Sequence, residues 1–438
     1  MDKTNLVKTL HDKVNQSSSL QDILIVSKCI ELLKIGSVKI VATYTDLLDI
    51  FAQKGEVYFV EDEERLYYGM GSYWYLVTQQ SSLLTYAWGA NIGGYLGDNT
   101  TTTRSSPVSV VGGFTDWVQV SGGNGHSLGL RANGTAWGWG FNQYGRLGDG
   151  TTTNRSSPVS VVGGFTDWVQ VSAGSRHSLG LRANGTAWGW GANYQGYLGD
   201  GTTTNRSSPV SVVGGFTDWV QVAAGYQHSL GLKSNGTAWA WGYNDSGRLG
   251  DGTITYKSSP VSVVGGFTDW VQLDAGGSHS LGLRANGTAW AWGNNRFGYL
   301  GDGTTTDRSS PVSVIGGFTD WAQVSAGSFS HSLGLRTNGT TWAWGANNGG
   351  YLGDGTTVNK SSPVSVVGGF TDWVQVSAWY HSLAVRANGT AWAWGYNGSG
   401  QLGDNTTTSR LSPVSVIGGF TDWVQVSAGS RHSLGIRG

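Results

Sequence analysis

The triplet Ser-Pro-Val returns seven times along this chain, with its proline at Pro107, Pro158, Pro209, Pro260, Pro311, Pro363 and Pro413, and these are all the prolines in 438 residues. Length alone would suggest several domains, but self-similarity at a period of 50 to 52 residues overrides that prior. The repeated unit reads, with variations, TDWVQVSAGxxHSLGLRANGTAWAWGxNxxGxLGDGTTTxRSSPVSVVGGF. Of the 22 tryptophans, only Trp74 and Trp379 fall outside positions that recur from unit to unit.

Each unit carries four short stretches bounded by Gly, Asn, Asp or Ser clusters, which predicts four strands. In the second unit these are A over 168–172, B over 177–182, C over 186–190 and D over 210–213, with Asn184-Gly185 as a two-residue hairpin between B and C. Four antiparallel strands per period match a propeller blade better than a helical solenoid. Trp188 and Trp190 alternate with Ala187 and Gly189, and Leu179 and Leu181 with Ser178 and Gly180. A blade with one bulky and one small side is expected, each bulky side seated on its neighbour's small one.

Strands A and B of the final unit end at Gly438, whereas the first unit starts at strand C near Leu84. The two fragments complete one blade, so a ring of seven closes by strand pairing. The expected architecture is an all-β seven-bladed propeller over 84–438 with four-stranded antiparallel blades and a split closing blade. A small α+β N-terminal module precedes it. Proline at the start of each D strand suits an outer edge, where a missing N–H breaks no ladder bond.

Lysine plus arginine (27) nearly balances aspartate plus glutamate (28), and no long basic run offers to neutralise a phosphate backbone. Nucleic acid is therefore not an expected partner. A single cysteine, Cys29, gives neither an intramolecular disulfide nor a thiolate set for zinc. The N-terminus lacks a secretion-signal pattern, and its most apolar stretch, 20–35, is interrupted by Asp22, Lys28 and Glu31. A soluble chain without signal peptide or membrane insertion is expected.

The W-x-W-G-x-N-x-x-G-x-L-G core followed by V-x-V-x-A-G-x-x-H-S-L, in seven copies, resembles the repeat of the regulator of chromosome condensation family. That resemblance implies a seven-bladed propeller with a split closing blade. The name-giving member is a nucleotide exchange factor that uses a wedge inserted between blades and basic contacts to nucleosomes. No unit here carries such an insertion, so neither activity is carried over.

The copies differ in two clusters. One precedes each recurring histidine and includes Arg176, Tyr226, Gln227, Phe329, Trp379, Tyr380 and Arg431. The other lies in WGxNxxGxLG and includes Tyr95, Phe141, Tyr144, Arg146, Tyr194, Tyr197, Tyr243, Arg248, Arg296, Phe297 and Tyr396. Up-and-down threading brings the A–B turn and the C–D loop to one rim, while the B–C and D–A connections, which hardly vary, form the other. Rigid aromatics among arginine and small polar residues suit a recognition surface. Loops that merely tolerate change are the alternative.

Seven histidines at equivalent positions are too far apart to share one metal ion, so each is expected to brace a turn. The Asp of each Leu-Gly-Asp is expected in an Asx turn, lacking the dense oxygen ligands of a calcium loop. No Ser/His/Asp, Cys/His or paired-carboxylate set breaks the repeat. The expectation is a chain without cofactor, metal or catalytic residues.

Residues 1–37 predict two helices, with Leu6, Leu10 and Val14 on one and Ile23, Val26, Ile30 and Leu33 on the other. The heptad spacing of the second set fits packing within one subunit, the simpler account, or a homo-oligomer. Residues 38–83 predict a small β-rich module: a strand over 38–42, a short helix over 46–51 and a meander over 57–60, 65–68 and 73–77. The run GEVYFVEDEERLYYGMGSYWYLV, from Gly55, resembles a module of tailed-bacteriophage virion proteins. It implies a tail-fibre or appendage component that binds other virion proteins through this module and a host-surface glycan or protein through the propeller. A capsid decoration protein, a soluble inhibitor or scaffold, and an enzyme with a charged cluster in the central channel are the competing readings.

Overall fold

The computed structural model describes residues 38–41, 57–60, 65–69, 74–76 and 83–438 apart from 329 and 330. The predicted helices and Phe329 lie outside the described residues. The chain divides into two compact units, Met1–Ser82 and Leu83–Gly438. In the first, Val38–Val41 pairs parallel with Val57–Val60, which continues antiparallel through Arg65–Gly69 to Trp74–Leu76. These strands fall within one residue of the predicted 38–42, 57–60, 65–68 and 73–77.

The second unit is a ring of seven four-stranded antiparallel sheets. Blades 1 to 6 occupy residues 117–160, 168–211, 219–262, 270–313, 321–365 and 373–415. Blade 7 joins Trp423–Ala428 and His432–Arg437 to Leu84–Gly89 and Arg104–Ser109. His432 pairs with Gly89 and Arg437 with Leu84, so closure uses the same register as any B–C pair in the ring.

Blade 2 shows how the register sets the packing. Its strands are A Trp168–Ala173, B His177–Arg182, C Ala187–Gly191 and D Arg206–Ser211. Ser178 lies opposite Trp190 and Gly180 opposite Trp188, whereas Leu179 faces Gly189 and Leu181 faces Ala187. The leucines and the tryptophans therefore point to opposite faces, which corrects the expectation of one bulky side per blade. The Trp face of blade 2, with Trp168 and Trp190, packs on Leu128, Leu130 and Ala136 of blade 1. Gly180 is small because Trp168 lies over it; a Cβ there would sit 2.6 Å from the indole. Fully burying each tryptophan against the preceding blade's leucines contributes on the order of 2–3 kcal/mol, repeated at every joint.

Two local expectations change. The D strand starts four residues earlier than predicted, and Pro209 sits inside it where the register slips between the Gly189 and Gly191 pairings. A bulge on an outer strand accepts a residue without an N–H. The B–C turn has three residues rather than two: Arg182 N–H bonds Thr186 O, and only Gly185 of Ala183-Asn184-Gly185 has positive φ, +74°. A left-handed glycine closing a three-residue loop replaces the primed two-residue turn.

Candidate functional site: the variable rim and its axial cup

Hydrogen bonds bring both variable clusters to one rim. The C–D loop starts by bonding the A–B turn of its own blade, Phe141 N–H to Gly125 O at 2.7 Å and Ala192 N–H to Arg176 O at 2.9 Å. The A–B turns are chained around the ring as well: Asn124, Ser175, Tyr226, Gly277, Ser328 and Ser430 each donate a backbone N–H to the next blade's turn. The chain lapses from blade 6 to blade 7. There one residue is missing, and Trp379 occupies the place of the glycine found in every other copy. In those copies a Cβ would crowd the neighbouring blade, as at Gly174, 2.5 Å from Gly225 O. Trp379 instead turns into the core cluster of Leu383, Trp88 and Trp423.

Beneath this rim the histidines form a second ring. Each Nε2 lies 2.6–3.0 Å from the serine Oγ of the next blade: His126 to Ser178, His177 to Ser229, His228 to Ser280, His279 to Ser332, His331 to Ser382, His381 to Ser433 and His432 to Ser127. Each serine donates its proton to a C–D carbonyl, as Ser178 does to Arg146 O at 2.7 Å. It must therefore accept from a protonated Nε2, which fixes the tautomer. The histidines clasp neighbouring blades rather than brace their own turns. Complete burial holds their pKa values far below the usual range, to about 3 for His177, His279, His331, His381 and His432. They are neutral at physiological pH. Each Leu-Gly-Asp aspartate makes the expected Asx turn and an ion pair besides; Asp149 accepts from Thr151 and Asn142 and pairs with Arg155 at 2.9 Å.

Glutamines seal the channel wall. Gln119 Oε1 accepts Val171 N–H, and Gln170 accepts Val222 N–H while donating to Val222 O; the pattern runs round to Gln425 and Val120. The innermost strand edges are thereby satisfied. One step along, a serine usually serves the next strand, as Ser121 does for Ala173 N–H. Blade 3 has Ala223 there, and Asp274 of blade 4 serves both Ala275 and Ala326 N–H.

The predicted site residues separate into three groups. Tyr95, Arg146, Tyr197, Arg248 and Trp379 are buried. The first four share the GxLG position, whose side chains cover the histidine layer: Tyr95 lies 5.6 Å from His432 and Tyr197 5.6 Å from His177. Arg146, its pKa lowered to about 10 mainly by burial, donates to Asn124 O and Ser175 O. These buried side chains support the rim from beneath, and Tyr95 also reaches the axial cavity. Phe141, Tyr144, Arg176, Tyr226, Gln227, Tyr243 and Tyr380 are half-buried, and Tyr194, Arg296, Phe297, Tyr396 and Arg431 are exposed.

Tyr95, Tyr226, Tyr380, Tyr396 and Arg431 converge on one cavity of about 520 Å³, completed by Tyr351, Asn124, Gly125 and Ser430. Its lining comes from blades 1, 3, 5, 6 and 7, so it is an axial cup at the variable end of the channel. Burial raises the hydroxyl pKa of Tyr95, Tyr351 and Tyr380, keeping them protonated as donors. Tyr144 and Tyr194 pair edge-on at 5.6 Å, with Arg176 6.0 Å from the Tyr144 ring. They do not line the cup.

Charge divides unevenly. Of the seventeen aspartates in residues 83–438, fifteen are ion-paired. The exceptions are Asp274 on the channel wall and Asp307, which accepts from Asn294 and Asn295. Of the lysines and arginines in residues 83–438, four have no carboxylate partner among the described residues: Arg146, Arg176, Arg296 and Arg431. All four stand in A–B turns or C–D loops. No group of three or more metal-ligating side chains occurs among the described residues.

A closed seven-bladed propeller with one uniform rim and one diversified, cationic rim defines a repeat scaffold that displays residues on a rigid disc. Residues 84–435 match the RCC1-like domain, and the chain belongs to that family. It is 30% identical to the ultraviolet-B receptor UVR8 of Arabidopsis thaliana over 65% of this chain and 66% of the receptor, just under two thirds of its length. It is 32% identical to the human E3 ubiquitin-protein ligase HERC2 over 53% of this chain but 5% of that protein. Among solved structures it is similar to human WBSCR16 (TM-score 0.72, 22% identity, 81% of this chain and 98% of that one). It is also similar to yeast RCC1 (Prp20) in its complex with Kap60 (TM-score 0.73, 20% identity, 82% and 89%). At those identities the likeness is one of fold.

Proposed function

We propose that the propeller is a non-enzymatic recognition module whose A–B and C–D rim contacts an anionic partner. The observation that carries this reading is the coincidence of two asymmetries on one rim: sequence variation among the copies, and the three solvent-reachable arginines of residues 83–438 without a carboxylate partner among the described residues, Arg176, Arg296 and Arg431. Complementary charge speeds encounter and selects partners, while exposed Tyr194, Phe297 and Tyr396 supply contact area. That relatives of the same fold include a yeast protein bound to Kap60 and described as binding Gsp1p and histones supports a macromolecular partner.

The run from Gly55 to Val77 supports a virion component of tail or appendage type, with the N-terminal module joining other virion proteins and the propeller meeting a host surface molecule. Individual contacts would be weak, and copy number would supply avidity. Replacing Arg176 and Arg296 with Gln and Tyr194 and Phe297 with Ser, together in the full chain, is expected to reduce attachment to bacterial envelopes at least tenfold with the thermal midpoint unchanged. Unchanged attachment would refute the rim reading. Immunolabelling of intact particles tests the virion reading; label on tails supports it, label on heads favours a decoration protein, and no label removes both.

A further inference from the structure

The rim reading leaves open what the axial cup holds, and a deeper inference rests on that reading. Five tyrosines, Tyr95, Tyr226, Tyr351, Tyr380 and Tyr396, line the cup with Asn124, Ser430 and Arg431. No Leu, Ile, Val or Met side chain is among them, so an apolar peptide anchor finds no matching pocket. A peptide cannot add as a strand at the channel wall either, because the innermost strand edges are capped by the glutamine ring. Aromatic faces beside hydroxyl and amide groups instead suit a pyranose, whose C–H faces stack on rings and whose hydroxyls exchange hydrogen bonds. A volume of about 520 Å³ falls in the range of small-ligand sites.

Arg431 is the one charged residue of the lining and has no carboxylate partner among the described residues. A guanidinium left unpaired matches a carboxylate in two parallel hydrogen bonds. The cup is also not sevenfold. Tyr380, Ser430 and Arg431 flank the joint between blades 6 and 7, where the chain of turn-to-turn hydrogen bonds lapses and Trp379 replaces glycine. A site placed once on a ring must break the symmetry somewhere, and it is broken here.

We propose that the axial cup binds a sugar bearing a carboxylate, with tyrosine rings against the pyranose and Arg431 on the acid group. The test is titration of the full chain with trigalacturonate, with its neutral methyl ester and with a Glu-rich peptide, followed by calorimetry. The acid sugar is expected to bind about tenfold more tightly than the ester, the worth of one charge-assisted pair. Arg431→Gln should abolish that preference with the thermal midpoint unchanged, Arg431→Lys should restore part of it, and Tyr380→Ser should weaken acid and ester alike.

Equal binding of acid and ester, or an unaltered preference in Arg431→Gln, would overturn the inference. So would peptide binding through Arg431 without sugar binding, or no binding of any probe. Those results leave the rim reading standing as long as the outer-rim variant, whose four substitutions lie outside the cup, still loses envelope attachment.

Discussion

The two rims are made from the same blades, yet they spend their polar groups differently. On the B–C rim every arginine is committed. Arg182 reaches Asp167 at 2.8 and 3.0 Å and lies 4.1 Å over Phe165, and the equivalent residues of the other blades repeat the arrangement, Lys233 with Asp218 among them. Gly185 accepts Trp219 N–H from the next blade, and a Cβ there would collide with Thr217 O. That rim is uniform because its polar groups are committed, each cation to the connection that enters its own blade and each turn glycine to the next blade. On the other rim the ties run through backbone atoms and through the buried His–Ser ring, so the outer side chains are free to differ. Invariance among internal copies thus marks joints, and variation marks surface released from joining.

The largest effect should appear on acidification. A histidine held near pKa 3 when folded and near 6.5 when unfolded leaves the unfolded chain with more bound protons between those values, so stability is complete above about pH 6.5 and falls as pH drops towards 3. Five such groups, with His126 and His228 lowered in the same direction by burial, together remove several kcal/mol per pH unit, each contributing at most about 1.4. Denaturant melts at pH 7, 6 and 5 should show this. Hydrogen exchange should show the A–B and C–D end losing protection before the B–C end. Equal loss at both ends would break the comparison.

Gly185→Ala comes next, with a positive φ and the Thr217 carbonyl both against it; a loss of about 2 kcal/mol or more is expected in chemical melts. Asp274→Ala should cost about 1–3 kcal/mol by stranding two buried N–H groups. The double change Ala223→Ser with Asp274→Ser rebuilds the regular pattern and should recover most of it, giving a large coupling in a double-mutant cycle. Tyr194→Ser on the variable rim should shift stability by less than about 0.5 kcal/mol, whereas Tyr197→Ser, three residues on but buried over His177, should cost several times more.

That last pair also marks how far the sequence could be read. Proline, Asn-Gly and histidine landmarks located the blades, the split closure and the common rim, because each is a local signal with a fixed meaning. Tyr197 and Trp379 could not be sorted from Tyr194 by the same means. Whether a loop residue is covered depends on the adjoining blade, and a single repeat contains no record of its neighbour. The histidines were misjudged for that reason too, since the serine each one meets belongs to the next unit. The cup was legible only as a set of variable positions; that five tyrosines and Arg431 share it follows from ring closure. The bulged D strand escaped notice because a proline inside a strand reads as a boundary.

The claim that the variable rim is the binding face is tested most directly by a hydrogen-exchange footprint of the full chain on bacterial envelopes. The account predicts added protection in the A–B turns and C–D loops, around 90–97, 141–146, 194–197 and 430–431, with the B–C turns unchanged. Protection confined to the B–C turns, at 132–135, 183–186 and their equivalents, would contradict it.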